Sequence, residues 1–319
     1  MTTLSTSIPE SLLLAKPRGF CAGVERAIEI VDKALKIFPA PVYVYHEIVH
    51  NTYVVKDLRS RGAIFVDSVN EVPDGAVLIF SAHGVSPEIR ALAHAKKLKE
   101  IDATCPLVTK VHMEAILFAR QGYTIILVGH EGHDEVVGTM GEAPERIMLV
   151  DGPHDVERLE VPDPERVAVI TQTTLSLDDT RETINAIKKK FPKVIFPPKE
   201  DICYATTNRQ IAVKEIAKKT DLILVIGSEN SSNSKRLAEV SKDHGTRAYL
   251  IDDVSKIKKE WLEGVKTIGI TAGASAPENL VTEVISYFRK IGVDQITEVE
   301  TVPESVKFAL PAGLTQVSV

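Results

Sequence analysis

Three cysteines, Cys21, Cys105 and Cys203, are the residues of this 319-residue chain whose placement most invites metal or redox chemistry. Cys21 lies in Pro17-Arg18-Gly19-Phe20-Cys21-Ala22-Gly23-Val24, after the apolar run Leu12–Ala15 and before a helical stretch. Cys105 lies in Asp102-Ala103-Thr104-Cys105-Pro106, with Pro106 where a helix would start, and Cys203 in Asp201-Ile202-Cys203-Tyr204 opens another. Each is expected to close a strand and open a helix. A helix N-terminus offers unpaired N–H groups and a positive dipole end, which favour thiolate over thiol. Taken singly, a scattered cysteine is more often a small core hydrophobe, and that reading competes. Ligands of open α/β sheets bind beyond the carboxyl ends of the strands, so three thiolates brought there could hold a metal centre. Zinc stays open, although a structural zinc site wants four protein ligands and no C-x-x-C pair is present. A 4Fe–4S cluster with three Cys ligands and one open iron, able to bind a substrate oxygen, is the sharper reading.

The other candidates are hydroxyls, amides, imidazoles and carboxylates at expected strand ends. Gly227-Ser228-Glu229-Asn230-Ser231-Ser232-Asn233-Ser234 follows Leu222–Ile226, and Thr271-Ala272-Gly273-Ala274-Ser275 follows Thr267–Ile270. Such helix N-termini can hold a phosphate, or they can simply be caps. His83 in Ser81-Ala82-His83-Gly84 and His50 in Val49-His50-Asn51 add imidazoles, whereas His94, His112, His154 and His244 read as structural or exposed. Gly129-His130-Glu131-Gly132-His133-Asp134-Glu135 follows Thr124–Val128, and there Glu135 could donate a proton beside His133 as an anion contact. It lacks the H-E-x-x-H spacing of a zinc helix. Thr171-Gln172-Thr173-Thr174 supplies hydroxyls able to relay a proton or orient an alcohol. No Walker-type loop and no G-x-G-x-x-G follows a strand, so nucleotide hydrolysis and nicotinamide chemistry are poor fits.

Short β-branched runs alternating with amphipathic stretches position these groups. Val77–Phe80, Thr124–Val128, Val167–Ile170, Leu222–Ile226 and Thr267–Ile270 are continuous in apolar residues, as strands covered on both faces are. Ser86 before Pro87, Ser176 before Asp179 and Ser275 before Glu278 mark helix starts, the last as a capping box. The fold class is α/β with mostly parallel sheets. The cysteines open segments of similar length, which suggests three similar α/β units at residues 12–104, 105–199 and 200–290, with a tail at 291–319 packing back on the body. The proline-rich and charged stretch Phe191–Lys199 reads as a linker.

Composition excludes several classes. A net charge of −6 gives no nucleic-acid footprint, and the basic Lys188–Lys190 reads as a solvated helix end. No apolar run approaches the roughly 20 residues that span a bilayer. The Ser/Thr-rich start Met1–Glu10 has neither a basic nor an apolar signal region, so the expected location is cytoplasmic. Three widely spaced cysteines also argue against a secreted disulfide framework.

Taken in order, PRGFCAGV (Pro17–Val24), HEIVHN (His46–Asn51), SAHGVS (Ser81–Ser86), DATCPLVTKVH (Asp102–His112), GHEGHDEVVGTMG (Gly129–Gly141), TQTTLS (Thr171–Ser176), DICYATTNRQ (Asp201–Gln210), NSSNS (Asn230–Ser234) and TAGASAP (Thr271–Pro277) closely resemble the 4-hydroxy-3-methylbut-2-enyl diphosphate reductase family, the last enzymes of the methylerythritol phosphate route to isoprenoids. The resemblance runs from about Leu14 to about Asn279. It implies α/β units around a central cavity containing the cluster, with Cys21, Cys105 and Cys203 as cluster ligands. His50, His83 and His133 would contact the substrate, chiefly its diphosphate, with Ser231, Ser232, Asn233 and Ser275. Glu135 would supply protons, and Thr173 would lie beside the substrate hydroxyl. Asp134 stands where the family often has proline, and its charge is expected to raise the pKa of Glu135.

The implied reaction removes the allylic hydroxyl reductively, giving isopentenyl and dimethylallyl diphosphate. With no flavin or nicotinamide motif in the chain, electrons would come from a flavodoxin or ferredoxin. Two rivals stand beside it: an iron–sulfur sensor without turnover, and a redox-silent α/β enzyme of phosphorylated metabolites with structural cysteines. The sensor would need an output surface such as a basic DNA-binding helix, and the redox-silent enzyme would tolerate loss of any one cysteine.

Overall fold

A computed structural model describes residues 8–315 of the chain. Positions 1–7, read above for targeting signals, and 316–319, the end of the expected tail, lie outside the described residues. The strands are β1 (Ser11–Lys16), β2 (Val42–Tyr45), β3 (Ala63–Val66), β4 (Val77–Phe80), β5 (Lys99–Asp102), β6 (Thr124–Val128), β7 (Ile147–Val150), β8 (Val167–Thr171), β9 (Leu222–Ile226), β10 (Arg247–Ile251), β11 (Thr267–Ala272) and β12 (Gln295–Glu300). They form three sheets, and every pairing within them is parallel. The continuous apolar runs of β4, β6 and β9 are buried at every position, as their composition predicts. Charged β5 and β12 lie at sheet edges, where lysine and glutamate can reach water.

The chain divides into two compact units. The first takes residues 8–21, His50–Val54 and Tyr204–Val306, and contains the sheet β10-β9-β11-β1-β12. Helix Glu278–Lys290 buries Leu280, Val281, Val284 and Phe288 among Leu12, Leu14, Ile268 and Ile270. Helices Tyr204–Ala217 and Ser232–Asp243 bury Ala212, Val213, Ile216, Leu237 and Val240 against Ala15, Ile223 and Val225. Gly227 after β9 and Gly273 after β11 both abut Ser234 so closely that a Cβ at either would overlap its side chain. That near approach lets both strand-end loops reach the start of helix Ser232–Asp243. The capping box expected at Ser275 and Glu278 does not form. Pro277 holds the cap position, and the Ser275 hydroxyl bonds elsewhere.

The second unit takes Ala22–Val49, Val55–Cys203 and 307–315, and contains the sheets β3-β2-β4-β5 and β7-β6-β8. Helix Pro106–Arg120 leaves β5 and carries the chain from one sheet to the other. Its Val111, Ala115 and Phe118 pack against Ile125, Leu127, Ala168 and Ile170. Ser86 and Ser176 cap their helices as expected, accepting from Ile89 N–H and Asp179 N–H. The stretch read as a linker lies along β8 instead: Val169 N–H donates to Ile195 O and Ile195 N–H to Val167 O, both at 3.0 Å. Burial of Phe191 fixes that path. Lys188–Lys190 closes helix Leu177–Lys190, where Lys190 donates to the carbonyls of Val156 and Glu157. In the tail, Ala309 O accepts from Arg26 Nε at 2.8 Å, and Leu314 is buried.

Sheet β3-β2-β4-β5 lies within the expected block 12–104 and sheet β7-β6-β8 within 105–199, whereas the five-stranded sheet joins β1 to strands of the expected block 200–290 and of the tail 291–319. β1 runs between β11 and β12, with Leu13 opposite both Gly269 and Thr297. The apolar β1 needs a neighbour on each side and cover on both faces, and the C-terminal strands supply the neighbours. Among the described residues no helix is long and apolar enough to cross a membrane.

Candidate active site

In the first unit the ends of β1, β9 and β11 meet around Ala274. Its carbonyl accepts from Cys21 N–H at 3.1 Å, and its N–H donates to Asn233 Oδ1 at 2.8 Å. Asn233 Nδ2 donates to Thr206 Oγ1 at 3.4 Å. Ser231 caps helix Ser232–Asp243, accepting from Ser234 N–H. The Ser275 hydroxyl donates to His50 O at 2.9 Å and lies 3.3 Å from Ser231 Oγ. Cys21, His50, Ser231, Ser232, Asn233 and Ser275 thus belong to one cluster of strand ends and a helix start. Arg209, fully buried, braces the turn before Cys21 by donating to Gly19 O, Phe20 O and Glu304.

In the second unit Glu135 is the centre. It sits in the first turn of helix Asp134–Met140 and is 2% exposed. Its Oε1 accepts from Thr173 N–H at 2.7 Å and its Oε2 from Thr173 Oγ1 at 2.9 Å. Burial pushes its pKa up to about 7, against the two Thr173 hydrogen bonds, and the Asp201 charge adds to the rise. The expectation that Asp134 raises Glu135 is corrected here. The Asp134 carboxylate is engaged by His46 at 2.7 Å, and the carboxylate that acts on Glu135 is Asp201.

His133 caps the same helix and accepts from Glu135 N–H through Nδ1 at 3.1 Å. An accepting Nδ1 leaves the neutral ring its proton at Nε2. The His83 and His133 rings meet edge to face, with centroids 5.9 Å apart.

Two cysteines belong to this unit. Cys105 occupies the N-cap of helix Pro106–Arg120, and its N–H donates to Ala82 O at 2.9 Å, beside His83. Cys203 follows a loop and not a strand, which corrects its expected setting. Its N–H donates to Thr173 O at 3.0 Å, so β8 holds it at a strand end indirectly. Each of the three cysteines is half-buried, has its backbone N–H fixed by a strand-end loop, and stands at or just before a helix start. Soft thiolates favoured by helix N-termini suit an iron–sulfur or zinc centre.

A family profile described as LytB protein matches residues 12–289. The chain belongs to the LytB family. A relative in Streptomyces avermitilis named 4-hydroxy-3-methylbut-2-enyl diphosphate reductase is 55% identical over 98% of this chain and 93% of its own length. One of the same name in Psychromonas ingrahamii is 56% identical, covering 95% of this chain and 98% of its own length. The solved E-1-hydroxy-2-methyl-but-2-enyl-4-diphosphate reductase of Plasmodium falciparum superposes with TM-score 0.92 at 43% identity, over 96% of this chain and 97% of that one. Another solved reductase, described as the terminal enzyme of the non-mevalonate pathway, gives TM-score 0.63 at 34% identity, over 88% of this chain and 99% of that one. Membership in this family of reductases implies a metal cofactor, which the thiolate set fits.

Lys110, His46 and Asp201 were not singled out in the sequence, whereas the structural reading of His112 agrees with its burial. His112, taken as structural or exposed, is buried, bonds Glu142 at 2.7 Å, and touches Gly84 and Gly138. Lys110 bonds Asp201 at 2.5 Å and Glu114 at 3.0 Å, tying the Cys105 helix to the Cys203 loop. His46 and Asp201 lay inside quoted motifs, and their spacing alone gave no partner.

Proposed function

We infer that this chain reduces (E)-4-hydroxy-3-methylbut-2-enyl diphosphate to isopentenyl and dimethylallyl diphosphate, the last step of the methylerythritol phosphate pathway. The observation that most supports this reading is the buried Glu135 carboxyl, poised near neutrality and joined through Thr173 to Cys203. The relatives' names point the same way. Cys21, Cys105 and Cys203 would hold a 4Fe–4S cluster, which when bound supplies two electrons and Lewis acidity at the departing hydroxyl. A flavodoxin or ferredoxin would deliver those electrons, and the chain would work in the cytoplasm.

The chain's own residues do the rest. His50, His83, His133, Ser231, Ser232, Asn233 and Ser275 would bind the diphosphate oxygens. Hydroxyl, amide and imidazole donors hold the anion without an arginine cluster. Oε1 of Glu135 faces a fixed N–H donor, so the acid proton belongs on Oε2. From there it passes to Thr173 Oγ1, whose own proton goes to the departing oxygen. The C–O bond breaks, the oxygen leaves as water, and a second proton ends on either end of the allyl fragment to give the two products.

The test is anaerobic turnover of the hydroxylated allylic diphosphate with a strong artificial reductant, with iron, sulfide and both products measured together. Formation of the two isomeric diphosphates by protein carrying about four irons supports the reading. A full cluster without turnover would favour a sensor, and turnover without iron would remove the cluster from the account.

A further inference from the structure

A carboxylate beside an anion-binding imidazole needs an explanation. Asp134 is the first residue of helix Asp134–Met140, between His133 and Glu135. Its Oδ1 accepts from His46 Nδ1 at 2.7 Å, and its Oδ2 lies 3.8 Å from His83 Nδ1. The carboxylate therefore joins the loops that follow β2 and β6 and lies near the loop after β4, where His83 Nδ1 is also 3.4 Å from Ser81 Oγ. All three side chains keep a third or less of their surface exposed.

His46 is built to hold this place. It follows β2 with φ at +55°, a left-handed backbone that costs a non-glycine residue energy and recurs where function over-determines the conformation. Its ring stacks on Tyr45 with centroids 4.1 Å apart, and its N–H donates to Val66 O at 2.9 Å. The hydrogen bond to Asp134 pushes its pKa up against burial, with Asp134 and Asp67 adding attraction. Ionisable groups near the pair include Tyr45 beside it, Asp67 after β3, Glu88, and His83 after β4.

We propose that His46 and Asp134 act as a neutral ion pair beside His83, in which His46 holds Asp134 in place and cancels the repulsion its carboxylate would exert on a diphosphate oxygen bound by His83. An uncompensated carboxylate this near an anionic ligand opposes binding by about tenfold, whereas the pair presents no net charge. His46 and Asp134 are positioning residues, and this role rests on the reading that His83 and His133 receive the diphosphate.

The experiment is calorimetric binding of inorganic diphosphate to the cluster-loaded protein, with KM and kcat for the allylic substrate, in His46→Gln, Asp134→Asn and the double variant. His46→Gln leaves the carboxylate bare, so Kd and KM should rise about tenfold while kcat stays within about twofold. Adding Asp134→Asn should recover most of that loss, and high salt should shrink the difference. Parent-like binding by His46→Gln, or a double variant worse than either single one, would overturn the proposal. Parent protein that does not bind diphosphate at all would instead sink the underlying reading and the proposal with it.

Discussion

Glu135 and Thr173 are joined twice, by N–H to Oε1 at 2.7 Å and by hydroxyl to Oε2 at 2.9 Å, and the carbonyl of Thr173 receives Cys203 N–H. The proposed proton donor, the proposed substrate-facing hydroxyl and the proposed cluster ligand are therefore joined in one hydrogen-bonded chain. The relationship ties the acid to the end of β8 and shields it from water. It also makes the protonation state of Glu135 sensitive to Thr173.

Thr173→Val removes the relay hydroxyl and one of the two hydrogen bonds that favour the carboxylate, so kcat should fall and the Glu135 pKa should rise from about 7. The limb of the pH–rate profile that reports this acid should then move to higher pH. A profile unchanged from the parent would mean the limb belongs to another group.

Glu135 also makes stability depend on pH. Its folded pKa of about 7 lies above the 4.5 of an ordinary glutamate, so its contribution is complete below pH 4.5 and is lost as pH rises through 7. Glu135→Gln removes that loss. The stability of the variant relative to the parent should therefore grow by something on the order of 3 kcal/mol between pH 4.5 and pH 8, read by denaturant titration at several pH values.

Much of this was legible from the motifs. Every cysteine and polar loop singled out in the sequence is accounted for at a strand end or helix start, because continuous apolar runs such as β6 and β9 announce buried parallel strands. The insertion of β1 between β11 and β12 was not legible, since register between distant segments leaves no local signal. Cys203 lacks a preceding strand because the loop before it packs along β8 through Ile195. The cause of the Glu135 shift was misread for a related reason. Asp134 is adjacent in sequence but turned to His46, while Asp201 is distant in sequence and acts across the fold.

Lys110 compensates Asp201, whose side chain is 1% exposed and also accepts Thr171 N–H. Burial and the nearby Asp201 push the Glu114 pKa up to about 7, against the attraction of Lys110. Lys110→Met should cost about 2–4 kcal/mol and lower iron retention, with Lys110→Arg recovering part of both. Unchanged melting and iron content in the Met variant would show that the brace carries little.

Asn233 supports Cys21 through Ala274 while facing the expected diphosphate loops. Asn233→Asp keeps the acceptor for Ala274 N–H but loses the amide donor and adds a like charge. KM should rise more than about tenfold, and more than in Asn233→Ser, with iron content near the parent's. A charge-insensitive KM would place the diphosphate elsewhere.

The most direct test of the central claim is turnover by Glu135→Gln prepared with the cluster intact. If Glu135 delivers the proton that releases the hydroxyl as water, kcat should fall by about a hundredfold or more while iron per chain and diphosphate affinity stay near the parent's. A kcat within about threefold of the parent's under those conditions would contradict the account.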